Sequence, residues 1–309
     1  MDHPAKQPPE ATPPLDDEKL FLSAEEALHH GTRHILVMGA KGTGKTTFSV
    51  SASKFADDTI GGPRRMCSDV LLVQGDNEGH LGAMDAGLVP GMVLNMGKCK
   101  SWDGSIKTPE GLVKDPQSYI SRWSRAYKRL GKVLSDGTIK IIIVDLNWPA
   151  KLIEKGITVS LEDRNYWKLV SLQGQRLYDA FNRFDGVTVI GNAQMKVHAI
   201  WGEDTRKGPS ENSINVANVR SVGGERSSHT IDLAKGVASV WQDNASFIFT
   251  RKSMRGKEIN GEVPRIYKTV TQSTSQYEAK SRAQSVLKTI EPGELSLRSL
   301  LKRVYGEDV

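Results

Sequence analysis

Gly39-Ala40-Lys41-Gly42-Thr43-Gly44-Lys45-Thr46 matches in full the eight-residue pattern Gly-x-x-x-x-Gly-Lys-Thr. The residues on either side fit it. His34 to Met38 is largely apolar and reads as a short strand, and Lys45 to Phe55 reads as a helix. A strand, a glycine-rich turn and a helix in that order make a loop that wraps phosphate groups. Glycines let the backbone approach closely, and amide N–H groups converge in the favourable dipole field at the helix start. Lys45 then offsets the β and γ charges of a nucleotide, and the Thr46 hydroxyl reaches a magnesium ion. The pattern assigns Gly39, Ala40, Lys41, Gly42, Thr43, Gly44, Lys45, Thr46 and Thr47 to ATP and its Mg2+, with Thr47 closing the first helical turn beside the phosphates.

Outward from this loop, short β-rich runs alternate with longer mixed segments, as parallel strands joined by crossover helices require. Val70 to Gln74 and Met92 to Met96 read as further strands, and Ile141-Ile142-Ile143-Val144 as the most central one. That run ends at Asp145, where a buried strand emerges at the ligand-binding carboxyl edge of a parallel sheet. Asp145 is the expected magnesium carboxylate, acting directly or through water. Two roles fit Asn147, orienting a water or holding the turn.

Hydrolysis needs a base for the attacking water. Glu78, following the strand Val70 to Gln74, is the leading candidate and Asp76 its competitor, while His80 reads as structural. Val187 to Ile190 reads as a strand followed by Asn192 and Gln194, amides suited to sensing phosphate or water and passing that state onward.

The rest of the chain gives the organisation. Residues 1–20 hold five prolines and many charges with almost no apolar side chains, so they read as a disordered tail. Ser23 with Glu26 fits a capping box for a short helix through His30. Tyr119 to Leu134 and Tyr166 to Phe184 show the helical period, the first with Arg122, Arg125, Lys128, Arg129 and Lys132 on its outer face. Residues 98–117 and 150–165 read as inserted loops. Residues 201–235 read as a long loop with one β segment at Ile214 to Val219. Val237 to Trp241, Ser246 to Thr250 and Arg265 to Val270 read as closely spaced antiparallel edge strands. Gln276 to Thr289 and Leu295 to Val304 read as terminal helices. The expected division is a tail over 1–20, an α/β ATPase domain over 21–272 and a helical segment over 273–309.

Composition removes several classes. The apolar runs of this 309-residue chain are far shorter than the roughly 20 residues a spanning helix needs, so no membrane partner is expected. The start Met1-Asp2-His3-Pro4 lacks a basic and then apolar leader, which makes the cytoplasm the expected site. Cys67 and Cys99 are the only cysteines, too few for a disulfide framework and without histidines at metal spacing. The 42 Lys plus Arg against 36 Asp plus Glu give a net charge of +6, compatible with a polyanionic partner without requiring one.

Taken in order, Gly39 to Thr46, Asp76-Asn77-Glu78, Ile141 to Asp145 and Asn192 to Lys196 resemble the motifs of a bacterial RecA-type recombinase core. More particularly, the chain resembles the reduced, phage-encoded RecA-like ATPases associated with single-strand annealing. The resemblance spans roughly residues 33–270. It implies a RecA-like P-loop NTPase core with a mainly parallel central sheet and antiparallel edge strands. It implies Glu78 as catalytic glutamate, Gln194 as the switch, and a DNA-facing loop from Lys196 through Arg226. In that loop Lys196, Arg206, Lys207, Arg220 and Arg226 supply positive charge and Trp201 an aromatic face for a base. Arg251 and Lys252 resemble the late basic pair through which recombinases contact a neighbour's γ-phosphate. The implied partners are DNA, single-stranded above all, further copies of the chain in a ring or filament with ATP at the subunit interfaces, and a single-stranded-DNA-binding protein. The chain departs from the pattern in lacking the separate amino-terminal helix and linker strand of the filament-forming members. A DNA translocase, helicase or packaging motor, and a nucleotide-stabilised assembly protein with weak turnover, are the competing functions on the same core.

Overall fold

The computed structural model describes residues 33–75, 79–95, 105–108, 111–114, 130–147, 164–181, 184, 186–199, 227–233, 235–256, 258, 264–274, 279–281 and 285–306. The tail, the helix expected from Ser23, Asp76 to Glu78, Tyr119 to Arg129, Ile214 to Val219 and the expected DNA contacts Trp201, Arg206, Lys207, Arg220 and Arg226 lie outside these residues.

The strands are β1 (Arg33–Gly39), β2 (Arg65–Gln74), β3 (Leu88–Asn95), β4 (Ser105–Thr108), β5 (Gly111–Lys114), β6 (Ile141–Asp145), β7 (Thr188–Ala199), β8 (Ser227–Ile231), β9 (Phe247–Arg255), β10 (Arg265–Val270), β11 (Lys280–Ser281) and β12 (Ile290–Pro292). The helices are α1 (Lys45–Val50), α2 (Leu81–Asp85), α3 (Arg164–Phe181), α4 (Lys235–Asn244) and α5 (Leu297–Tyr305). The main sheet runs β12-β10-β9-β1-β7-β6-β2-β3, with β8 paired to β7 and β11 to β9. Neighbours from β9 through β3 are parallel, whereas β10 is antiparallel to β9 and β12 to β10. The protein is a mixed α/β fold with a largely parallel central sheet and antiparallel edge strands.

Each central strand is buried on both faces, and its alternate residues feed two separate cores. Ile35 and Val37 join one and Leu36 and Met38 the other, all at most 1% exposed. In the same way β6 sends Ile141 and Ile143 to the first core and Ile142 and Val144 to the second. The first core is closed by Phe48 and Val50 of α1 with Leu297, Leu300 and Leu301 of α5. The second is closed by Tyr178 and Phe181 of α3 with Val237, Ala238 and Trp241 of α4.

Several expectations need correction. Val237 to Trp241 is not a strand but the middle of α4. Val237, Ala238, Trp241 and Ala245 are all buried at the spacing of one helical stripe, and that burial outweighs local β propensity. Helix α4 is therefore a crossover that returns the chain to the same edge, so β9 pairs parallel with β1 rather than as an antiparallel edge strand. No helix spans the described part of 276–289. The Ser273 hydroxyl donates to the Ala279 carbonyl at 2.7 Å just before β11, and the Gln272 amide donates to the Leu287 carbonyl at 3.0 Å, in a described turn ahead of β12. The segment after 272 is thus partly β, joined to the main sheet, and only α5 is helical in it among the described residues.

Helix α1 also stops at Val50 rather than Phe55. The Ser51 hydroxyl donates to the Phe48 carbonyl at 2.6 Å and accepts from the Leu297 amide at 2.8 Å, which ties the end of α1 to the start of α5. Ser296 caps α5 by accepting from the Ser299 amide at 3.0 Å. Within the expected loop 98–117, β4 and β5 pair as an antiparallel hairpin.

Candidate functional site

Strand β1 delivers Gly39 to the carboxyl edge of the sheet, and the chain turns there through residues 40–44 into α1. Gly39 admits no larger residue. A Cβ on it would lie 2.5 Å from both the Arg251 carbonyl oxygen and Thr43 Oγ1. Gly42 and Gly44 have φ of 76° and 74°, the left-handed region that glycine occupies without cost. The buried Thr43 hydroxyl donates to the Ala40 carbonyl at 2.9 Å and braces the turn from inside.

The Lys45 side chain folds back over this loop. Its Nζ donates to the Gly39 and Ala40 carbonyls, both at 2.9 Å. Burial lowers its pKa to about 8, and the Asp145 carboxylate pulls partly the other way. Asp145 is half-buried at the end of β6. The two charges meet at one edge because β7 lies between β1 and β6. Gln194 stands in register with Gly39 on one side, and Asn192 with Asp145 on the other.

The amides of β7 are both engaged. Asn192 Oδ1 accepts from the buried Ser49 hydroxyl at 2.6 Å, linking β7 to the back of α1. Asn147 donates through Nδ2 to Gln194 Oε1 at 3.2 Å and accepts from the Gln194 amide at 3.2 Å. Its own amide donates to Asp145 Oδ1 at 3.3 Å. Asn147 therefore holds the turn after β6, one of the two roles its sequence position suggests, and it holds Gln194 as well.

Thr46 is half-buried at the start of α1. With Asp145 it offers hard oxygen donors, the set Mg2+ accepts while keeping several of its waters. Among the described residues no group of three or more His, Cys, Asp or Glu side chains gathers as a metal site. The Thr47 hydroxyl donates to the Gly82 carbonyl of α2 at 3.1 Å. Glu78 lies outside the described residues. The chain on either side of it is closed by Gln74, whose amide meets His80 Nδ1 at 3.1 Å.

One further placement departs from expectation. Lys196 does not open a loop; β7 continues through Ala199 as a ribbon with β8, where Lys196 pairs with Thr230. Arg251 is only 3% exposed and lies beside the Gly39–Gly44 loop of its own chain. Lys252, the next residue, is half-buried opposite Lys268, and burial followed by that like charge lowers its pKa.

Sequence reasoning missed Arg265 and Tyr267. Arg265 Nη1 lies 3.5 Å from the position a Cβ on Gly42 would take, and the Tyr267 ring lies 3.8 Å from that of Gly44. No local pattern marks them; only the antiparallel return of β10 on β9 carries them to the loop. No family model matches the chain, and no curated protein matches it.

Proposed function

We propose that the protein is a Mg-dependent ATPase of RecA-like kind whose nucleotide state controls DNA binding in phage recombination or single-strand annealing. One observation carries this reading: Lys45 lies folded over a loop with the complete phosphate-binding pattern, within electrostatic reach of Asp145.

The backbone of Gly42 to Lys45 and the Lys45 ammonium take the β- and γ-phosphates of ATP. Lys45 exchanges the Gly39 and Ala40 carbonyls for phosphate oxygens. The Thr46 hydroxyl and the Asp145 carboxylate would hold Mg2+, which would supply charge neutralisation to the phosphates when bound. Glu78 accepts a proton from the water whose oxygen bonds to the γ-phosphorus as the bond to the ADP oxygen breaks. Gln194 reads the γ-phosphate position, and β7 carries that state into the ribbon with β8 that bears Lys196. DNA, single-stranded above all, binds there and along the segment through Trp201, Arg206, Lys207, Arg220 and Arg226. Copies of the chain assemble with ATP between them, and a single-stranded-DNA-binding protein is the expected accessory.

The test is ATP turnover of wild type and Glu78→Gln across a titration of single- and double-stranded DNA, with assembly followed in parallel. DNA-stimulated turnover that disappears in Glu78→Gln while nucleotide-dependent assembly survives is the expected result. Equal turnover with and without either DNA overturns the coupling, and directional ATP-driven movement on DNA would make the protein a translocase. Tight nucleotide binding with negligible turnover under every condition would make it an assembly protein.

A further inference from the structure

Arg251 is a buried cation with no carboxylate at salt-bridge distance among the described residues. Strand β9 places it in register with Gly39 on one side and Thr269 on the other. Its Nη1 donates to Thr269 Oγ1 at 2.6 Å and to the Gly293 carbonyl at 3.1 Å. Its guanidinium carbon stands 4.7 Å from the Phe48 ring centroid and 5.7 Å from that of Tyr267. These contacts fix the side chain in place. They do not satisfy it: among the described residues Nε has no hydrogen-bond partner, and no carboxylate pairs with the group at salt-bridge distance.

A guanidinium out of water is costly unless a counter-charge meets it, and two aromatic faces return only part of that cost. Burial accordingly lowers its pKa to about 10, with Tyr267 and Glu294 acting the other way. Nη2 lies 3.8 Å from the position a Cβ on Gly44 would occupy, beside the residue that precedes Lys45. An anion seated on the phosphate loop would supply the missing charge. Thr269, Gly293 and the two rings hold Arg251 toward this loop of its own chain.

We propose that Arg251 is a phosphate-binding cation of its own subunit, complementing Lys45 on the polyphosphate of the nucleotide bound there. This rests on the nucleotide reading above and reverses the direction that resemblance assigns to the residue. The polyphosphate of a nucleoside triphosphate and free pyrophosphate share the chemistry, so both serve as probes.

The decisive experiment mixes two inactive variants, Lys45→Ala and Arg251→Met. If Arg251 serves a neighbour, mixed assemblies contain sites with an intact loop faced by an intact arginine, and turnover returns. If it serves its own chain, no site holds both groups and turnover stays at the level of the separate variants. Direct binding is measured on protein diluted to single subunits. We expect Arg251→Met to lose tenfold or more in affinity for Mg-ATP and for pyrophosphate, and Arg251→Lys to regain most of it. Wild-type protein supplies a readout independent of how the variants fold: the Arg251 Nε–H resonance, assigned by its loss in Arg251→Lys, should shift as pyrophosphate saturates.

Restored turnover in the mixture overturns the proposal. So does an unmoved resonance at saturating pyrophosphate, or undiminished affinity in Arg251→Met while Lys45→Ala loses binding; in that last case the nucleotide reading itself survives. Undiminished affinity in both variants would defeat that reading together with the proposal.

Discussion

Asn147 and Gln194 clasp each other across the carboxyl edge of the sheet: the Asn147 side-chain amide donates to Gln194 Oε1, and the Gln194 backbone amide donates to Asn147 Oδ1, each at 3.2 Å. Asn147 also donates its backbone amide to Asp145, so one turn holds both the acidic strand end and the amide of β7. If Gln194 reads the γ-phosphate as proposed, its release from Asn147 would make the pair a latch between site and ribbon. Asn147→Ala should then raise ATP turnover without DNA and reduce its stimulation by DNA, with Mg-ATP affinity changed by less than about twofold. Losing the two hydrogen bonds should cost about 1–2 kcal/mol of stability. Turnover measured with and without DNA beside equilibrium nucleotide binding checks this; unchanged stimulation would mean that the clasp is structural only.

Lys45 sets a pH dependence whose sign follows from its surroundings. Burial holds its pKa near 8, against 10.5 for a free lysine. Below pH 8 the group is protonated whether the chain is folded or not, so the penalty of the buried charge is fully present. Between about 8 and 10.5 the unfolded chain binds more protons, and this residue makes the ligand-free protein more stable as pH rises. Nucleotide affinity moves the opposite way, since phosphate needs the ammonium form. Mg-ATP should bind about tenfold more weakly at pH 9 than at pH 7, with a proton taken up on binding at the higher pH. Calorimetry in two buffers of different ionisation enthalpy measures that uptake, and Lys45→Ala should abolish it along with most of the affinity.

Asp145 raises the Lys45 pKa against the effect of burial, a role separable from the metal binding proposed for it. Asp145→Asn should shift the pH midpoint of nucleotide affinity below the wild-type value. The same substitution should abolish most of the gain in ATP affinity that Mg2+ confers, because it removes the charged oxygen donor and leaves only the Thr46 hydroxyl. Binding titrations across pH, with and without Mg2+, separate the two effects. A midpoint that stays in place would show that the two side chains do not interact.

The site was legible where its chemistry is contiguous in the chain and illegible where pairing alone assembles it. Gly39 to Thr46 is a single run, and Ile141 to Val144 announces a doubly buried strand by composition, so the loop and Asp145 could be placed before any fold was known. The five residues from Val237 to Trp241 misled because their local β propensity hides a stripe that shows only when Ala245 is added. That one misreading propagated. With α4 taken as a strand, β9 has no crossover to bring it parallel to β1, and Arg251 cannot be placed beside Gly39. Arg265 and Tyr267 lay beyond reach for the same reason, since their nearness to Gly42 and Gly44 exists only through the β9–β10 return.

Glycine substitutions separate backbone approach from mere flexibility. A Cβ on Gly39 would press on the Arg251 carbonyl, which belongs to the adjacent strand, and on Thr43 Oγ1, which braces the loop. Backbone cannot rotate aside as a side chain does, so β9 must shift against β1. Gly39→Ala should therefore cost about 1–3 kcal/mol of stability. It should weaken Mg-ATP binding as well, because the Gly39 carbonyl that positions Lys45 moves with the strand. Gly131 is the matched control: it lies in a helical turn where an added Cβ meets nothing within 4 Å. Gly131→Ala should leave nucleotide affinity unchanged and raise stability by up to about 1 kcal/mol. Chemical denaturation with and without Mg-ATP measures both variants, and equal behaviour would remove close packing at Gly39 as the reason the loop keeps its shape.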